Sequence, residues 1–242
     1  MKRVIVIPAR YASVRLPGKA LLPIAGKPLI RWVYERATAA TLADDVLIAT
    51  DDERIRQACE AFNASVVMTS PDCASGTDRV RQALIGREAD IVINLQGDEP
   101  QVKPAIIDGL IRVMEEEEGL LMATLCAKIA DREEYENPNV VKVVRDVHGS
   151  ALYFSRAPLP YLRKSSDAPV YKHIGIYAFS RTFLEIFVGL PKGKLEEAES
   201  LEQLRALEAG YRIKTLLVEY EGIGIDTPED LERARKVMAP FP

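Results

Sequence analysis

The sequence predicts an α/β protein with a mostly parallel sheet, helices on both faces and an inserted smaller antiparallel portion. In the first half, short apolar runs rich in β-branched residues recur, as strands buried on both faces require. Amphipathic stretches lie between these runs, and parallel strands need such crossovers. After about Pro138 the apolar runs are separated by polar or proline-rich turns, which indicates antiparallel pairing.

The predicted elements alternate regularly until that point. Strands are predicted at 4–7, 46–49, 65–68, 91–95 and 120–126, and helices at 28–40, 53–62, 76–85 and 104–117. In the second half, strands are predicted at 140–145, 151–155, 174–180 and 212–218, and helices at 196–208 and 228–238. The final helix begins at a proline, with Thr227 as its cap and Asp230 as the partner in a capping box.

Composition excludes several classes of protein. The chain of 242 residues has a net charge of −4, so it lacks the basic field of a nucleic-acid-binding domain. Its three cysteines are far apart and odd in number, which argues against a disulfide framework. The apolar run near the N-terminus ends at Pro8 and is too short for a signal sequence or a membrane span. We therefore expect a cytoplasmic protein without nucleic-acid or membrane partners.

The loops with unusual composition follow predicted parallel strands. They cover 8–26, 50–52 and 96–100. Ligands of open α/β sheets bind beyond the carboxyl ends of the strands, so these loops are the predicted ligand edge.

The loop after the first strand carries three cations, Arg10, Arg15 and Lys19, and the chain has no acidic residue before Glu35. Guanidinium and ammonium groups in such a loop suit a polyphosphate. A surface loop with scattered bases is an equally good reading of the charge pattern alone. Neither a P-loop nor a dinucleotide-binding glycine motif follows the strand, which argues against a P-loop kinase and a dinucleotide-dependent oxidoreductase.

Two acidic residues are candidate ligands of magnesium, Asp98 at the end of the fourth strand and Asp226 before the final helix. Magnesium takes oxygen ligands, commonly one or two carboxylates with substrate phosphates. Helix capping is the alternative for Asp98, whereas Thr227 already accounts for the cap of the final helix and leaves Asp226 available. If the strand ends bring the two acids together, they form a metal site facing the cationic loop.

Further polar residues have ordinary structural alternatives. The turn containing Ser75 and Gly76 opens a helix, where it could contact a base or ribose or simply cap the helix. Arg156 follows an apolar strand and could pair with a substrate carboxylate or with a surface acid. His173 is one of two histidines, and a lone histidine is more often structural than catalytic.

Together these segments resemble the 3-deoxy-manno-octulosonate (KDO) cytidylyltransferases, also called CMP-KDO synthetases. The resemblance runs the length of the chain, and its motifs occur in order. They are residues 7–19 (IPARYASVRLPGK), 75–79 (SGTDR), 96–100 (QGDEP), 137–139 (NPN), 151–156 (ALYFSR), 173–177 (HIGIY), 201–205 (LEQLR) and 224–231 (GIDTPEDL). Cys73 departs from the pattern, in which histidine is common two residues before the serine of SGTDR.

The resemblance implies a Rossmann-like nucleotidyltransferase fold and a role for each motif. CTP would contact Ala9, Arg10, Ser13, Arg15, Lys19, Ser75, Gly76, Arg79 and Asp98. Arg10, Lys19, Asp98 and Asp226 would be catalytic, with Mg²⁺ on Asp98 and Asp226. The sugar acid would contact Gln96, Arg156, His173, Tyr177, Glu202 and Gln203.

The same resemblance implies the organisation and the reaction. It divides the chain into a nucleotide-binding α/β portion (1–136), a sugar-binding and dimerisation portion (137–219) and a return to the α/β portion (220–242). The expected enzyme is a homodimer that transfers CMP from CTP to KDO, giving CMP-KDO and pyrophosphate for lipopolysaccharide synthesis. The alternatives are a related acceptor such as 8-amino-KDO and a non-catalytic CTP-binding module.

Overall fold

The computed structural model describes residues 1–13, 15–129, 131–163 and 168–238. The strands are β1 (Arg3–Ala9), β2 (Pro23–Ile24), β3 (Lys27–Pro28), β4 (Asp45–Thr50), β5 (Ser65–Met68), β6 (Ile91–Asn94), β7 (Met122–Lys128), β8 (Lys142–Arg145), β9 (Ala151–Ser155), β10 (Tyr171–Ser180) and β11 (Lys214–Leu217). The helices are α1 (Leu29–Thr38), α2 (Glu53–Glu60), α3 (Gly76–Ala83), α4 (Pro104–Glu116), α5 (Arg132–Glu136), α6 (Arg181–Gly189), α7 (Lys194–Glu199), α8 (Leu204–Glu208) and α9 (Pro228–Val237), with a 3₁₀ turn at Lys19–Leu21.

The predicted alternation of strand and helix in the first half is confirmed. The second half contains two helices that were not predicted, α5 and α6. The predicted single helix at 196–208 is wrong, because it divides into α7 and α8. Ser200 ends α7 in the left-handed conformation (φ 52°), which a continuing helix does not permit.

The chain forms two compact units, Met1–Ile111 with Glu221–Pro242, and Arg112–Tyr220. The predicted division had placed the first boundary after residue 136, whereas the observed one lies within α4. Strand β7 and helix α5 therefore belong to the second unit. Strand β7 pairs there with β10 and β11, and α5 contacts the same unit through Glu134 with Lys172 and through Tyr135 with the Pro160 carbonyl.

The first unit is built on four parallel strands in the order β6-β1-β4-β5. Central strand β1 is buried from Val4 to Ala9, as its continuous apolar run predicts. A short antiparallel ribbon of β2 and β3 precedes α1. Beside it, Ile24 and Leu29 pack with Ile225 and Leu231, so that α9 and the residues before it lie against the N-terminal part of the chain.

In the second unit, β7 pairs parallel with β11 and antiparallel with β10, and β8 pairs antiparallel with β9 and β10. The predicted antiparallel portion is thus confirmed. The register of β10 against β7 shifts between Ile174 and Tyr177. Such bulges redirect side chains and are frequent near functional sites. Within the described ranges of the whole chain, no helix is long and apolar enough to cross a membrane.

Candidate functional site

The ammonium of Lys19 joins the two acids that the sequence predicts as metal ligands. Lys19 Nζ donates to Asp98 Oδ2 at 2.6 Å and to Asp226 Oδ1 at 2.9 Å. Its third hydrogen bond goes to the carbonyl of Ile225 at 3.1 Å. Asp98 lies 79 positions and Asp226 207 positions from Lys19 in the sequence, yet both contact the same nitrogen atom. The predicted proximity of Asp98 and Asp226 is confirmed.

Backbone contacts hold the two acidic segments together. The amide of Ile225 donates to the carbonyl of Asp98 at 3.0 Å, and the amide of Ile223 donates to Gln101 Oε1 at 3.0 Å. Ile225 is fully buried and anchors this segment in the apolar cluster beside α9. The Thr227–Asp230 capping box begins α9 as predicted, so Asp226 keeps its carboxylate for Lys19 and Arg15.

Gly97 allows the loop of Asp98 to lie against the end of β1. A Cβ atom at this position would be 2.9 Å from the carbonyl oxygen of Pro8. A carbon and a backbone oxygen cannot lie this close unless one of them moves. The close approach of these two backbone segments therefore requires glycine at position 97. The motif around Asp98 therefore contains a packing requirement as well as a chemical one.

The cluster is cationic on one side of Asp226. Arg15 Nη2 donates to Asp226 Oδ2 at 2.8 Å, and both side chains are about half exposed. Burial raises the pKa of Asp226, but Lys19 and Arg15 outweigh this effect and hold it below the usual value. Burial likewise lowers the pKa of Lys19, yet Asp98 and Asp226 bring it above the usual value. The lysine is charged and the aspartate ionised at neutral pH.

The rest of the cationic loop folds around Tyr11. The carbonyl of Tyr11 accepts hydrogen bonds from the amides of Ser13 and Gly18, each at 2.9 Å. Its ring covers Gly18, which adopts φ 67°, and the guanidinium of Arg54 lies 3.3 Å from the ring centroid. These contacts fix the curvature of the loop before Lys19. The aromatic ring was not a predicted site residue, and only its position within the motif could have indicated it.

The remaining predicted residues of this loop differ in accessibility. Ala9 is buried at the end of β1, Ser13 is half-buried, and the side chain of Arg10 is exposed. Val14 of the quoted motif lies outside the described residues. An exposed Arg10 can reach a ligand without breaking an existing ion pair within the described ranges.

The SGTDR motif occupies the start of α3. Ser75 Oγ accepts from the amide of Asp78 at 3.1 Å, so its predicted role as a helix cap is confirmed. Arg79 is almost fully buried and donates to Asp51 Oδ2 at 2.8 Å and to the hydroxyl of Thr69. Asp51 and Thr69 follow β4 and β5 and were missed as partners, although Asp51 lies in a loop of the predicted ligand edge.

Gly76 and Gln96 approach each other at this edge. A Cβ atom on Gly76 would be 3.7 Å from Gln96 Oε1 and 3.5 Å from the ring of Pro8. Gln96 is half-buried and follows β6, as predicted. The predicted nucleotide residues and Gln96 all belong to the first unit, whereas the other five predicted sugar residues belong to the second.

In the second unit, Tyr177, Gln203 and His173 form a chain of hydrogen bonds that continues to Thr124. The Tyr177 hydroxyl donates to Gln203 Oε1 at 3.1 Å, Gln203 Nε2 is 3.5 Å from His173 Nδ1, and His173 Nε2 is 2.9 Å from Thr124 Oγ1. Thr124 donates its single proton to a bulge carbonyl, that of Ile176 at 2.8 Å. His173 Nε2 therefore carries the imidazole proton, and Nδ1 accepts from Gln203.

Burial keeps the side chains of this hydrogen-bonded series neutral. It lowers the pKa of His173 to about 3, and it raises the pKa of Tyr177, with the charge of Glu202 acting in the same direction. Glu202 and Gln203 lie in the turn between α7 and α8, which exists because the predicted helix is interrupted. Thr124 was missed because its strand reads as an apolar core strand.

Within the described residues, the Arg156 guanidinium contacts backbone carbonyls and not the predicted surface acid, while its pairing with a substrate carboxylate stays a prediction. Its Nε donates to the carbonyl of Glu199 at 2.8 Å and its Nη1 to the carbonyl of Pro138 at 3.1 Å. The carboxylate of Glu199 instead accepts from the amide of Arg156 at 2.9 Å and from the hydroxyl of Ser155. Acidic Glu199 was also missed, since nothing in its helical pattern distinguishes it from a solvent-exposed residue.

The carboxylates of the first unit fit a magnesium ion by their chemistry. Asp98 and Asp226 present oxygen atoms to one cation, the Lys19 ammonium, and magnesium commonly takes one or two carboxylates with phosphate oxygens. No set of three or more His, Cys, Asp or Glu side chains is placed to hold a metal in the described part of the chain. Asp98 and Asp226 are the two carboxylates that the Lys19 ammonium brings together.

Comparisons with known proteins agree with the motifs. Residues 4–214 match a family model described as cytidylyltransferase. A 3-deoxy-manno-octulosonate cytidylyltransferase of Solibacter usitatus is 51% identical over 96% of this chain and 93% of its own length. An 8-amino-3,8-dideoxy-manno-octulosonate cytidylyltransferase of Shewanella halifaxensis is 52% identical over 96% of both chains.

A solved structure has the same fold over nearly the whole chain. It is CMP:2-keto-3-deoxy-manno-octonic acid synthetase complexed with CTP, with a TM-score of 0.95, 49% identity and 98% coverage of both chains. The predicted Rossmann-like nucleotidyltransferase fold is thereby confirmed. The chain belongs to the cytidylyltransferase family, and within it to the family of the 3-deoxy-manno-octulosonate cytidylyltransferases, or CMP-KDO synthetases.

Proposed function

We propose that this enzyme transfers CMP from CTP to KDO, giving CMP-KDO and pyrophosphate. The observation that carries the proposal is the convergence of Lys19, Asp98 and Asp226 at the ligand edge of the parallel sheet. In a nucleotidyl transfer, charge develops on phosphate oxygens. Two carboxylates that can hold a metal ion, together with fixed cations, suit a site that stabilises this charge. A module that only bound CTP would need the cations but neither acid.

In the proposed reaction, the anomeric hydroxyl of KDO attacks the α-phosphorus of CTP. The new bond joins the sugar oxygen to phosphorus, the bond from phosphorus to the bridging oxygen breaks, and pyrophosphate leaves with the electron pair. Positioning and charge neutralisation supply most of the catalysis in transfers of this type. Arg10, Arg15 and Lys19 are assigned to the triphosphate, and Ser75, Gly76 and Arg79 to the cytidine.

Lys19 must exchange partners to perform this role. All three of its ammonium hydrogens are directed to protein oxygens. Contact with a phosphate therefore requires Lys19 to release Asp98, Asp226 or the Ile225 carbonyl. Since two carboxylates left without a cation repel each other, this release needs a compensating positive charge.

Magnesium on Asp98 and Asp226 is proposed to provide that charge. When bound, the ion supplies positive charge to the phosphate oxygens and to the departing pyrophosphate. Asp98 and Asp226 would hold the ion, which would leave Lys19 for the triphosphate. A readout independent of turnover is binding of Mn²⁺ as a magnesium substitute, which we expect to require CTP and to be lost on replacement of either aspartate.

The sugar acid is assigned to Gln96 of the first unit and to Arg156, His173, Tyr177, Glu202 and Gln203 of the second. With its guanidinium on two neutral carbonyls, Arg156 suits the carboxylate of the sugar acid. The pKa of about 3 makes His173 a neutral hydrogen-bonding group at physiological pH and not a proton donor for catalysis. Sugar recognition here depends on hydrogen-bond geometry.

The similar identities of the KDO and 8-amino-KDO relatives make the acceptor the property to test first. Purified protein with magnesium would receive each nucleoside triphosphate in turn, with KDO, with 8-amino-KDO or with no acceptor, and pyrophosphate would be measured. We expect release only with CTP and KDO together. Preference for 8-amino-KDO would change the substrate but keep the reaction, and CTP binding without release under any condition would establish the non-catalytic module instead.

A homodimer in the cytoplasm is proposed as the working form. Supporting it, the second unit exposes apolar side chains, including Leu152, Tyr161 and Leu162, and has a groove of about 790 Å³ beside the last two. Apolar surface of this kind is suited to a symmetric contact between two copies. Light scattering at micromolar concentration should give twice the mass of the chain, and Tyr161→Glu should reduce it to the mass of a monomer.

A further inference from the structure

Lys142 at the start of β8 is a buried cation outside the predicted site. Its side chain is fully buried, and its ammonium donates to the carbonyls of Asn137 at 2.8 Å and Val140 at 2.6 Å. The same turn is closed by the amide of Val140, which donates to the Asn137 carbonyl at 3.1 Å. Lys142 thus fixes both ends of the turn at residues 137–140.

Stability does not account for this lysine. It forms no ion pair with any residue that the structure describes, and burial together with the neighbouring charge of Arg156 lowers its pKa, which Glu199 opposes only in part. A buried charge without an ionic partner is expensive, and apolar replacements of buried charges are often neutral or stabilising. The buried ammonium is explained instead by its hydrogen bonds to the turn at residues 137–140, which it holds in position.

The turn held by Lys142 also orients Arg156. The Pro138 carbonyl, between the two carbonyls that Lys142 holds, accepts from Arg156 Nη1 at 3.1 Å. Lys142 pairs with Ser155 in the register of β8 and β9, and Arg156 is the next residue. The two cations therefore approach one turn from neighbouring strands.

Arg156 keeps its charge for a ligand in this arrangement. Among the residues that the structure describes, the guanidinium contacts two neutral carbonyls, and the nearby carboxylate of Glu199 is occupied by the Ser155 hydroxyl and the Arg156 amide. An arginine paired with a protein carboxylate would have to break that pair before binding an acidic substrate. In this arrangement, the two carbonyls fix the direction of the Arg156 guanidinium without neutralising its positive charge.

We propose that Lys142 is a positioning residue for recognition of the sugar-acid carboxylate, acting by holding the 137–140 turn that orients Arg156. This inference rests on the proposed function and on the assignment of Arg156 within it. Lys142 touches neither substrate in this account. Its removal should therefore weaken use of the sugar acid while leaving CTP binding unchanged.

The test compares Lys142→Met with Lys172→Met as a matched control. Lys172 is paired with Lys142 in the register of β10 and β8, but its ammonium contacts Glu134 instead of the turn. Lys142→Met should raise the KM for KDO about tenfold or more, because the turn that orients Arg156 loses both hydrogen bonds of the Lys142 ammonium. The KM for CTP should stay within about twofold of wild type, as should both constants for Lys172→Met.

Two further variants separate positioning from simple loss of structure. Lys142→Gln retains a donor directed at the turn, so we expect its KM for KDO to lie between those of wild type and Lys142→Met. In an Arg156→Ala background, Lys142→Met should add little, because its effect passes through Arg156. If Lys142→Met fails to bind CTP and is therefore unfolded, Lys142→Gln and its combination with Arg156→Ala give the same two comparisons.

The failures are distinguishable. An unchanged KM for KDO in Lys142→Met, or a full additional loss in the Arg156→Ala background, would overturn the positioning role while the reaction stands. Absence of CTP- and KDO-dependent pyrophosphate release from the wild-type enzyme would overturn the proposed function and this inference together.

Discussion

The two units stabilise their functional groups in opposite ways. In the first unit, Lys19, Asp98, Asp226 and Arg15 are charged, partly exposed and held by ion pairs. In the second, His173, Tyr177 and Gln203 are kept neutral by burial and joined by directed hydrogen bonds. Charged groups are therefore concentrated where a triphosphate is proposed to react, and neutral hydrogen-bonding groups where a sugar is proposed to be recognised.

The largest expected effect is that of Asp98→Asn on turnover. The amide keeps the size of the side chain but loses the charge that a metal requires. Metal ions contribute several kcal/mol of charge stabilisation in such transfers, so kcat should fall by about 10³-fold or more. Steady-state pyrophosphate release measures the change.

The fold should survive this substitution, since Lys19 still bonds to Asp226 and to the Ile225 carbonyl. Asp90→Asn, at an exposed acid of the same unit, is the control and should be indistinguishable from wild type. Turnover of Asp98→Asn close to the control value would remove Asp98 from the catalytic site.

Lys19→Met tests the cation of the same cluster. It removes the positive charge assigned to the triphosphate and the ammonium that joins Asp98 and Asp226. Loss of one preorganised group that stabilises developing charge lowers kcat by about 10²–10³-fold. Lys27→Met, which breaks a partly exposed pair with Glu35, is the matched control and should retain nearly full kcat. Equal kcat in the two variants would contradict the role of Lys19.

The neutral chain of the second unit predicts a specific loss of stability in acid. The folded-state pKa of His173 lies at about 3, below its ordinary value of 6.5, so between these values the unfolded chain binds more protons. Stability therefore falls as the pH drops through this window. The contribution is on the order of 2–3 kcal/mol between about pH 7 and pH 4.5.

Urea unfolding at several pH values measures this dependence. The free energy of unfolding of His173→Gln should change less with pH than that of the wild type, because glutamine does not titrate. His148→Gln, at the exposed histidine, is the matched control. Parallel pH profiles for His173→Gln and the wild type would show that His173 is not held neutral by the fold.

Gly97→Ala should have the smallest effect. We expect it to lower the stability of the fold more than the rate of the reaction. Its methyl group would meet the Pro8 carbonyl at 2.9 Å, and relief of such overpacking typically costs about 1–3 kcal/mol. Gly189→Ala, where no atom lies within 4 Å of the added carbon, is the control. Thermal unfolding should separate the two, and an unchanged midpoint for Gly97→Ala would mean that the loop moves without cost.

Sequence reasoning was most successful in the first unit because its site follows from topology. Carboxyl ends of parallel strands meet at one edge, so the loops of Lys19 and Asp98 were predictable neighbours. The approach of Asp226 follows from the return of the chain through Ile225, an apolar residue that had to be buried. The ring of Tyr11 over Gly18 and under Arg54 could not be predicted, because no periodic pattern connects these three residues.

The second unit was harder to predict because its site depends on local irregularities. The bulge in β10 and the interruption at Ser200 both contradict the regular patterns of their segments. Glu202 and Gln203 were identified by motif resemblance, but they were placed inside a helix that does not exist. The hydroxyl of Thr124 lies within hydrogen-bond distance of the carbonyls at the bulge, and this contact can be identified only when the strand register is known.

The most direct test of the central claim, that the Lys19, Asp98 and Asp226 cluster supports nucleotidyl transfer, is to follow labelled phosphorus from CTP into products. CTP labelled at the α- or at the γ-phosphorus would be incubated with enzyme, magnesium and KDO, with Asp98→Asn in parallel. We expect α-label in the sugar product, γ-label in pyrophosphate and neither with Asp98→Asn. Appearance of γ-label in the sugar, or undiminished transfer by Asp98→Asn, would contradict it.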